Sequence, residues 1–260
     1  MSKVFVFDFD HCNGCYNCQV ACKDEHCGQA WPPFAEAQPL TGQFWCKVNQ
    51  KDRGQVPWVR VSYEAVLCGH CADAPCLKAG EGAVYRRDDG LVIIDPAKAK
   101  GMRGLPASCP IGAIYYNDEL DIPQKCTGCA HLLDAGWKEP RCVDACMTDG
   151  LRWMDESEVP AGAEPAEALA GLGSKVFYLN RPKRFVAGTV VDLAADEVVI
   201  GAQVRLLAAD GSCVAELATD DFGDFKFDQV APAAYTVSVA GKTVAADVSA
   251  KDLSVGDVAV

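Results

Sequence analysis

The pattern of apolar and polar positions divides the chain into two regimes. From about Phe185 onward, apolar residues recur at every second position in short runs, as in Ala202-Gln203-Val204-Arg205-Leu206-Leu207 and Tyr235-Thr236-Val237-Ser238-Val239. A period of two marks half-buried strands. Residues 188–191 and 243–248 read the same way, and Asp210-Gly211, Asp221-Phe222-Gly223 and Gly241-Lys242 supply turns between the runs. About seven strands in about 75 residues predict a small all-β sandwich over 185–260. Before Phe185 the apolar runs are shorter and irregular. Residues 4–9 read as a strand, 83–95 as a hairpin turning at Asp89-Gly90, 112–116 as another strand and 127–136 as a short helix. Residues 155–184 turn acidic and then rich in Ala, Pro and Gly, which predicts a linker ending in an extended segment at 176–179.

Charge sharpens this division. Half of the 260 residues are apolar, so a core is affordable, and the formal charge is −12. Residues 1–154 carry 16 basic and 19 acidic side chains, 155–184 carry 4 and 5, and 185–260 carry 4 and 12. The acidity thus belongs to the tail, where it favours solubility and argues against nucleic acid or an anionic membrane as partner. No apolar run approaches the ~20 residues of a membrane span. The N-terminal residues show neither a secretory leader nor a twin arginine, so a cytoplasmic location is expected. In that compartment, abundant cysteine points to metal rather than disulfides.

Cysteine placement supplies the chemistry. Fourteen of the fifteen cysteines precede residue 147, and twelve fall into groups. Cys12, Cys15, Cys18 and Cys22 pack four thiols into eleven residues. This spacing lets three thiolates of one loop reach three irons of a cubane, while the fourth serves a neighbouring cluster. A zinc site would more typically use two Cys-x2-Cys pairs about 15–20 residues apart. Cys126, Cys129, Cys142 and Cys146 taken alone resemble a zinc ribbon, but the first group weighs against zinc. Cys22 needs a second cluster, and Cys12, Cys15 and Cys18 need a fourth ligand. Reciprocal pairing meets both needs. Cys12, Cys15, Cys18 and Cys146 are expected to hold one [4Fe–4S] cluster, and Cys22, Cys126, Cys129 and Cys142 a second. Cys68, Cys71 and Cys76 with Cys109 make a third set. Its twin is missing on both halves: Gly80 stands near where a fourth cysteine would fall, and residues 97–108 hold no cysteine.

The remaining candidates are weaker. Cys27, Cys46 and Cys213 read as structural thiols. His11, His26, His70 and His131 neighbour the cysteine groups but are not needed as ligands; donation to cluster sulfur is their softer role. Lys23, Lys125 and Arg141 flank ligands, where they offset cluster charge or are simply solvated. No phosphate loop or nucleophile–base arrangement stands out, so no catalytic residue is expected on this chain.

The four-region cysteine layout resembles the iron–sulfur subunits of molybdopterin oxidoreductases of the dimethyl sulfoxide reductase class. Phe9-Asp10-His11-Cys12-Asn13-Gly14-Cys15-Tyr16-Asn17-Cys18, Asp24-Glu25-His26, the run from Gly82 to Gly90, and Lys125-Cys126-Thr127-Gly128-Cys129-Ala130-His131 narrow the resemblance. They are similar to the small subunits of pyrogallol–phloroglucinol transhydroxylases. The tail, with Asp221-Phe222-Gly223-Asp224-Phe225-Lys226-Phe227, resembles a transthyretin-like or Cna-B-type sandwich. The resemblance implies an α+β fold: two ferredoxin-like units over 1–154, a linker over 155–184, and a β-sandwich over 185–260. It also implies electron transfer through three clusters to a large catalytic subunit that carries the molybdopterin and acts on polyhydroxylated aromatics. The erased cluster is the distal one, which in such subunits commonly leads to a membrane partner. A related reductive dehydroxylase, another molybdopterin oxidoreductase, or a free-standing polyferredoxin are the alternative readings.

Overall fold

Strand-forming residues at Lys3–Asp8 build β1, whose side chains are buried from Val4 onward. The structure, a computed structural model, describes residues 2–260. Elements follow in the order α1 (Asn17–His26), β2 (Cys46–Gln55), β3 (Trp58–Leu67), α2 (Pro75–Ala79), β4 (Val84–Arg86) and β5 (Val92–Ile94). Next come β6 (Ile114–Asn117), β7 (Ile122–Lys125), α3 (Ala130–Asp134), α4 (Arg141–Asp144), β8 (Leu151–Asp155) and β9 (Val176–Leu179). The tail holds β10 (Arg184–Asp192), β11 (Glu197–Val198), β12 (Gln203–Leu207), β13 (Cys213–Ala218), β14 (Asp224–Val230), β15 (Ala234–Val239), β16 (Lys242–Asp247) and β17 (Leu253–Ala259). The fold is therefore mixed, rich in strand and poor in helix. Among the described residues no helix is long and apolar enough to cross a membrane.

The chain divides into two compact units. Residues 1–50 and 63–181 form the first; residues 51–62 and 182–260 form the second. In the first, β1 is the central strand of three. It pairs antiparallel with β8, setting Phe5 opposite Trp153, and parallel with β9, setting Phe5 opposite Val176. The segment expected as a linker thus carries a strand, and up to Arg181 it belongs to the first unit. The extended segment expected at 176–179 is this strand; what its pattern did not announce is the partner, because a four-residue apolar run carries no mark of the distant strand it pairs with. The hairpin expected over 83–95 forms as β4 and β5, with Val84 opposite Ile94 and the Gly90 N–H bonded to the Arg87 carbonyl. The β2–β3 hairpin was not anticipated; its ends lie in the first unit and its tip in the second.

In the second unit two sheets face each other. One is ordered β11-β10-β14, with β17 also paired to β10; the other runs β13-β12-β15-β16. Alternation along the strands drives this arrangement. Val186, Val190, Phe225, Phe227 and Val258 from one sheet pack into a single apolar core with Val204, Leu206, Val237 and Val239 from the other. Arg53 and Arg60 on the hairpin tip pair with Asp252 at 3.6 Å and Asp228 at 2.5 Å within the same unit.

Candidate metal centres

Three Cys-x2-Cys loops share one local geometry. In each, the residue just before the second cysteine has a left-handed backbone: Gly14 at φ 74°, His70 at φ 42° and Gly128 at φ 64°. This turn aims that residue's N–H back at the first cysteine. His70 N donates to Cys68 Sγ at 3.4 Å and Gly128 N to Cys126 Sγ at 3.3 Å, while the Gly14 amide does the same for Cys12. Amide donors stabilise an ionised sulfur, so the loops are built to hold thiolates. Further donors are Ala113 N to Cys109 Sγ at 3.3 Å and Leu151 N to Cys146 Sγ at 3.2 Å. Glycine suits the turn because it adopts positive φ without steric cost.

The helices distribute the other thiols. On α1, Cys18 and Cys22 lie one turn apart on the same face, so one short helix feeds two sites. The sequence reading missed α1, whose apolar positions are too few to show a helical period. It packs against α4, which carries Cys142 and leads to Cys146.

The tertiary structure brings the twelve cysteines together in fours. Burial raises the Cys12 thiol, and neighbouring Cys18, Cys146 and Cys15 raise it further. Burial also drives Cys22 well above the ordinary thiol range, reinforced by Cys142, Cys126 and Cys129. Cys71 is pushed up to about 11 by burial together with Cys68, Cys109 and Cys76. Cys126 is pushed up to about 12 by burial and by Cys68, which belongs to the third group, so the second and third groups are neighbours. Four crowded, buried thiols cannot all ionise without a cation among them, which is the donor set an iron–sulfur cubane requires. None of the fifteen cysteines is in a disulfide. Among the described residues no three His, Cys, Asp or Glu converge as on a single ion; four thiolates of a cubane each bind a different iron.

The groups differ in exposure. Cys15 is exposed and Cys12, Cys18 and Cys146 are half-buried, whereas Cys22, Cys126, Cys129 and Cys142 are all buried. Cys68, Cys71, Cys76 and Cys109 line one apolar cavity with His70, Ile114 and Leu169. Beside it, residues from the cysteine-free stretch 97–108 pack as hydrocarbon. Ala99 and Leu105 are buried and pack with Met102 against Cys71, Cys76 and Cys109. Gly80 ends α2, its N–H bonded to the Cys76 carbonyl at 2.9 Å, and a Cβ there would stand 2.2 Å from Val84 Cγ2. A cysteine at that position has no room.

Charged and aromatic neighbours complete the sites. Lys125 is buried rather than solvated; its Nζ donates to the carbonyls of Val92 and, at 3.0 Å, Cys126. Lys23 donates to the carbonyls of Pro39 and, at 3.0 Å, Gln43, and Arg141 pairs with Asp144. His11 bonds Asp8 at 2.9 Å; His131 bonds Glu25 at 3.0 Å and stacks on Trp31 at 4.3 Å. His26 Nε2 lies 3.9 Å from Cys129 Sγ. Cys46 is not a bystander: it is buried between the first two groups and shares hydrogen bonds with Cys142 and Cys18, holding the Cys18 thiol below its ordinary value. Nothing around Trp45-Cys46 in the sequence signals this. Cys27 is half-buried, and Cys213 opens strand β13 at the surface.

Residues 59–156 match the 4Fe-4S dicluster domain family, and residues 186–260 match the carboxypeptidase regulatory-like domain family. The chain is 37% identical to the pyrogallol hydroxytransferase small subunit of Pelobacter acidigallici, over 90% of this chain and 89% of that protein. The chain belongs to that family of iron–sulfur small subunits. Within the wider family, the probable anaerobic dimethyl sulfoxide reductase component YnfG of Escherichia coli (strain K12) is 35% identical over 57% of this chain and 71% of its own length. The thiosulfate reductase electron transfer subunit PhsB of Salmonella typhi is 30% identical over 60% of this chain and 78% of its own. Among solved structures, the BcpA major pilin subunit of Bacillus cereus superposes on 33% of this chain and 31% of its own at a TM-score of 0.27 and 12% identity, too distant to carry an argument. The small-subunit family thus spans both units, whereas the two reductase subunits match little more than half of the chain.

Proposed function

We propose that this chain is the electron-carrying, non-catalytic subunit of a molybdopterin enzyme of the pyrogallol hydroxytransferase type. One observation carries the reading: twelve thiols gather into three groups of four in a chain related along 90% of its length to such a small subunit. Cys12, Cys15, Cys18 and Cys146 would hold the first [4Fe–4S] cluster. Cys22, Cys126, Cys129 and Cys142 would hold the second, and Cys68, Cys71, Cys76 and Cys109 the third. Clusters of this kind supply one-electron chemistry when bound.

The protein's own part is to keep that chemistry dry and in place. Buried thiolates anchor each site, amide donors stabilise their charge, and the ammonium of Lys125 lies close to both the second and third groups. The first site, with Cys15 exposed, is the side presented to a partner. That partner is a large catalytic subunit bearing the molybdopterin, acting on polyhydroxylated aromatics in the cytoplasm. Residues 1–154 would then comprise two ferredoxin-like units, and 185–260 a transthyretin- or Cna-B-like sandwich.

Purification from the host decides the reading. The complex should contain a molybdopterin subunit and, on this chain, about 12 iron and about 12 sulfide, four of each per cubane. Zinc without sulfide, or a chain that purifies alone, overturns it. Turnover of pyrogallol without an added electron donor points to transhydroxylation; donor dependence points to a reductive dehydroxylase.

A further inference from the structure

His70 holds a positive φ in its Cys-x2-Cys loop, where the other two loops place glycine. A non-glycine residue in that conformation is strained and calls for a compensating use of its side chain. The ring is buried, and Val92 N donates to its Nδ1 at 3.0 Å. Nδ1 is therefore the acceptor, and the imidazole hydrogen sits on Nε2. That Nε2 is buried and has no hydrogen-bond partner in the protein. Buried donors in native proteins almost always have partners, and an orphan asks for one. His70 lines the cavity closed by Cys68, Cys71, Cys76 and Cys109. Its backbone N–H already serves Cys68 Sγ.

The geometry points to a role for the side chain as well: the Nε2–H of His70 donates a hydrogen bond to sulfur of the cluster held by Cys68, Cys71, Cys76 and Cys109, and so raises its potential. The inference rests on the three-cluster reading above. Reduction adds negative charge to a cluster, so a fixed donor favours the reduced form. His70 differs in this from the other three histidines. His11 and His131 are engaged by Asp8 and Glu25, and His26 already meets a sulfur, its Nε2 3.9 Å from Cys129 Sγ, while its unpartnered Nδ1 leaves the tautomer unset. The site with this added donor is the one beside the hydrocarbon of the cysteine-free stretch 97–108. An electron reaching it is held there rather than passed outward.

The test is a redox titration of the holoprotein followed by electron paramagnetic resonance, on the native chain, His70→Leu and His70→Gln. His70→Leu should leave iron at the native count and raise the oxidised-to-reduced ratio of one couple about tenfold at fixed potential, about 59 mV for one electron. His70→Gln, which keeps a donor, should recover part of the shift. With histidine labelled by ¹⁵N in the ring only, the native protein should show a nitrogen coupling on that couple's signal, absent from His70→Gln. Because the coupling is read on native protein, it decides the question even if His70→Leu fails to load. Unmoved potentials, equal shifts in both variants, or no nitrogen coupling overturn the His70 role alone. A native chain with fewer than three clusters overturns it together with the cluster reading.

Discussion

In the sandwich unit, strands of up to nine residues bury Val186, Val190, Leu206, Phe225 and Phe227 against each other, and hydrocarbon alone makes a core. In the cysteine-bearing unit the longest helix has ten residues, α3 and α4 have five and four, and buried cysteines share the core with Phe5, Phe7 and Leu151. Elements that short cannot close a core by apolar area, and helices of fewer than about 12 residues are marginal on their own. The comparison teaches that the same chain folds one region by pattern and the other by ligation. Where thiols replace hydrocarbon, the bound metal must supply the cohesion that the side chains lack.

Metal removal puts the comparison to its hardest test. Chelation of iron from the full chain should abolish hydrogen-exchange protection in β1, α3 and α4 and leave β10, β12 and β14 protected. Simultaneous loss in both units would break the contrast. Next in size is a core truncation in the other unit. Phe225→Ala should cost about 3–5 kcal/mol in denaturant unfolding of the sandwich, with iron content unchanged. A fall in iron would show that the units do not fold separately.

A smaller effect is expected at the rim of the cysteine unit. The buried carboxylate of Asp8 accepts from Asn180 at 2.9 Å, His11 at 2.9 Å and Arg152 at 3.1 Å. Burial pushes its pKa up, but hydrogen bonds from Asn180, His11 and the Asp10 amide outweigh that and hold it below the usual value. A depressed folded-state pKa contributes stability that is present above the unfolded value, about 3.9, and is lost as pH falls through the lowered one. Asp8→Asn should therefore lower the unfolding temperature at pH 7, by about 1.5–3 kcal/mol of stability, and flatten the decline seen in the native chain below about pH 4. An unchanged acid limb would remove Asp8 from the account. The smallest effect belongs to the exposed pair of Arg103 and Asp118 at 2.8 Å. Asp118→Ala should leave the unfolding midpoint within the scatter of the measurement, with no effect on iron, because solvent screens an exposed pair.

Much of this was legible in the chain. The alternation from Gln203 to Val239 and the turn at Asp210-Gly211 are local signals, and they placed the sandwich strands. The tail has eight strands where about seven were expected, and one of them, β11, is two residues long and too short to carry a pattern. Cysteine spacing is equally local, because a loop of two residues between thiols already constrains what they can bind. What escaped was whatever depends on a distant partner. The parallel pairing of β9 with β1, the split of the β2–β3 hairpin between units, and the place of Cys46 between Cys18 and Cys142 have no trace in neighbouring residues.

By itself, then, the sequence determined the spacing of the cysteines from Cys12 to Cys146, the lack of cysteine over residues 97–108 and the β-pattern of the tail, since each is written in short-range spacing. Only the tertiary structure decided that Lys125 is buried and not solvated, and that Ala99 and Leu105 pack as buried hydrocarbon with Cys71, Cys76 and Cys109. It also decided that the His70 ring, pinned by Val92 of β5, is left with one hydrogen to give. Burial and hydrogen-bond partners are set by residues far apart in the chain, and no local pattern carries them.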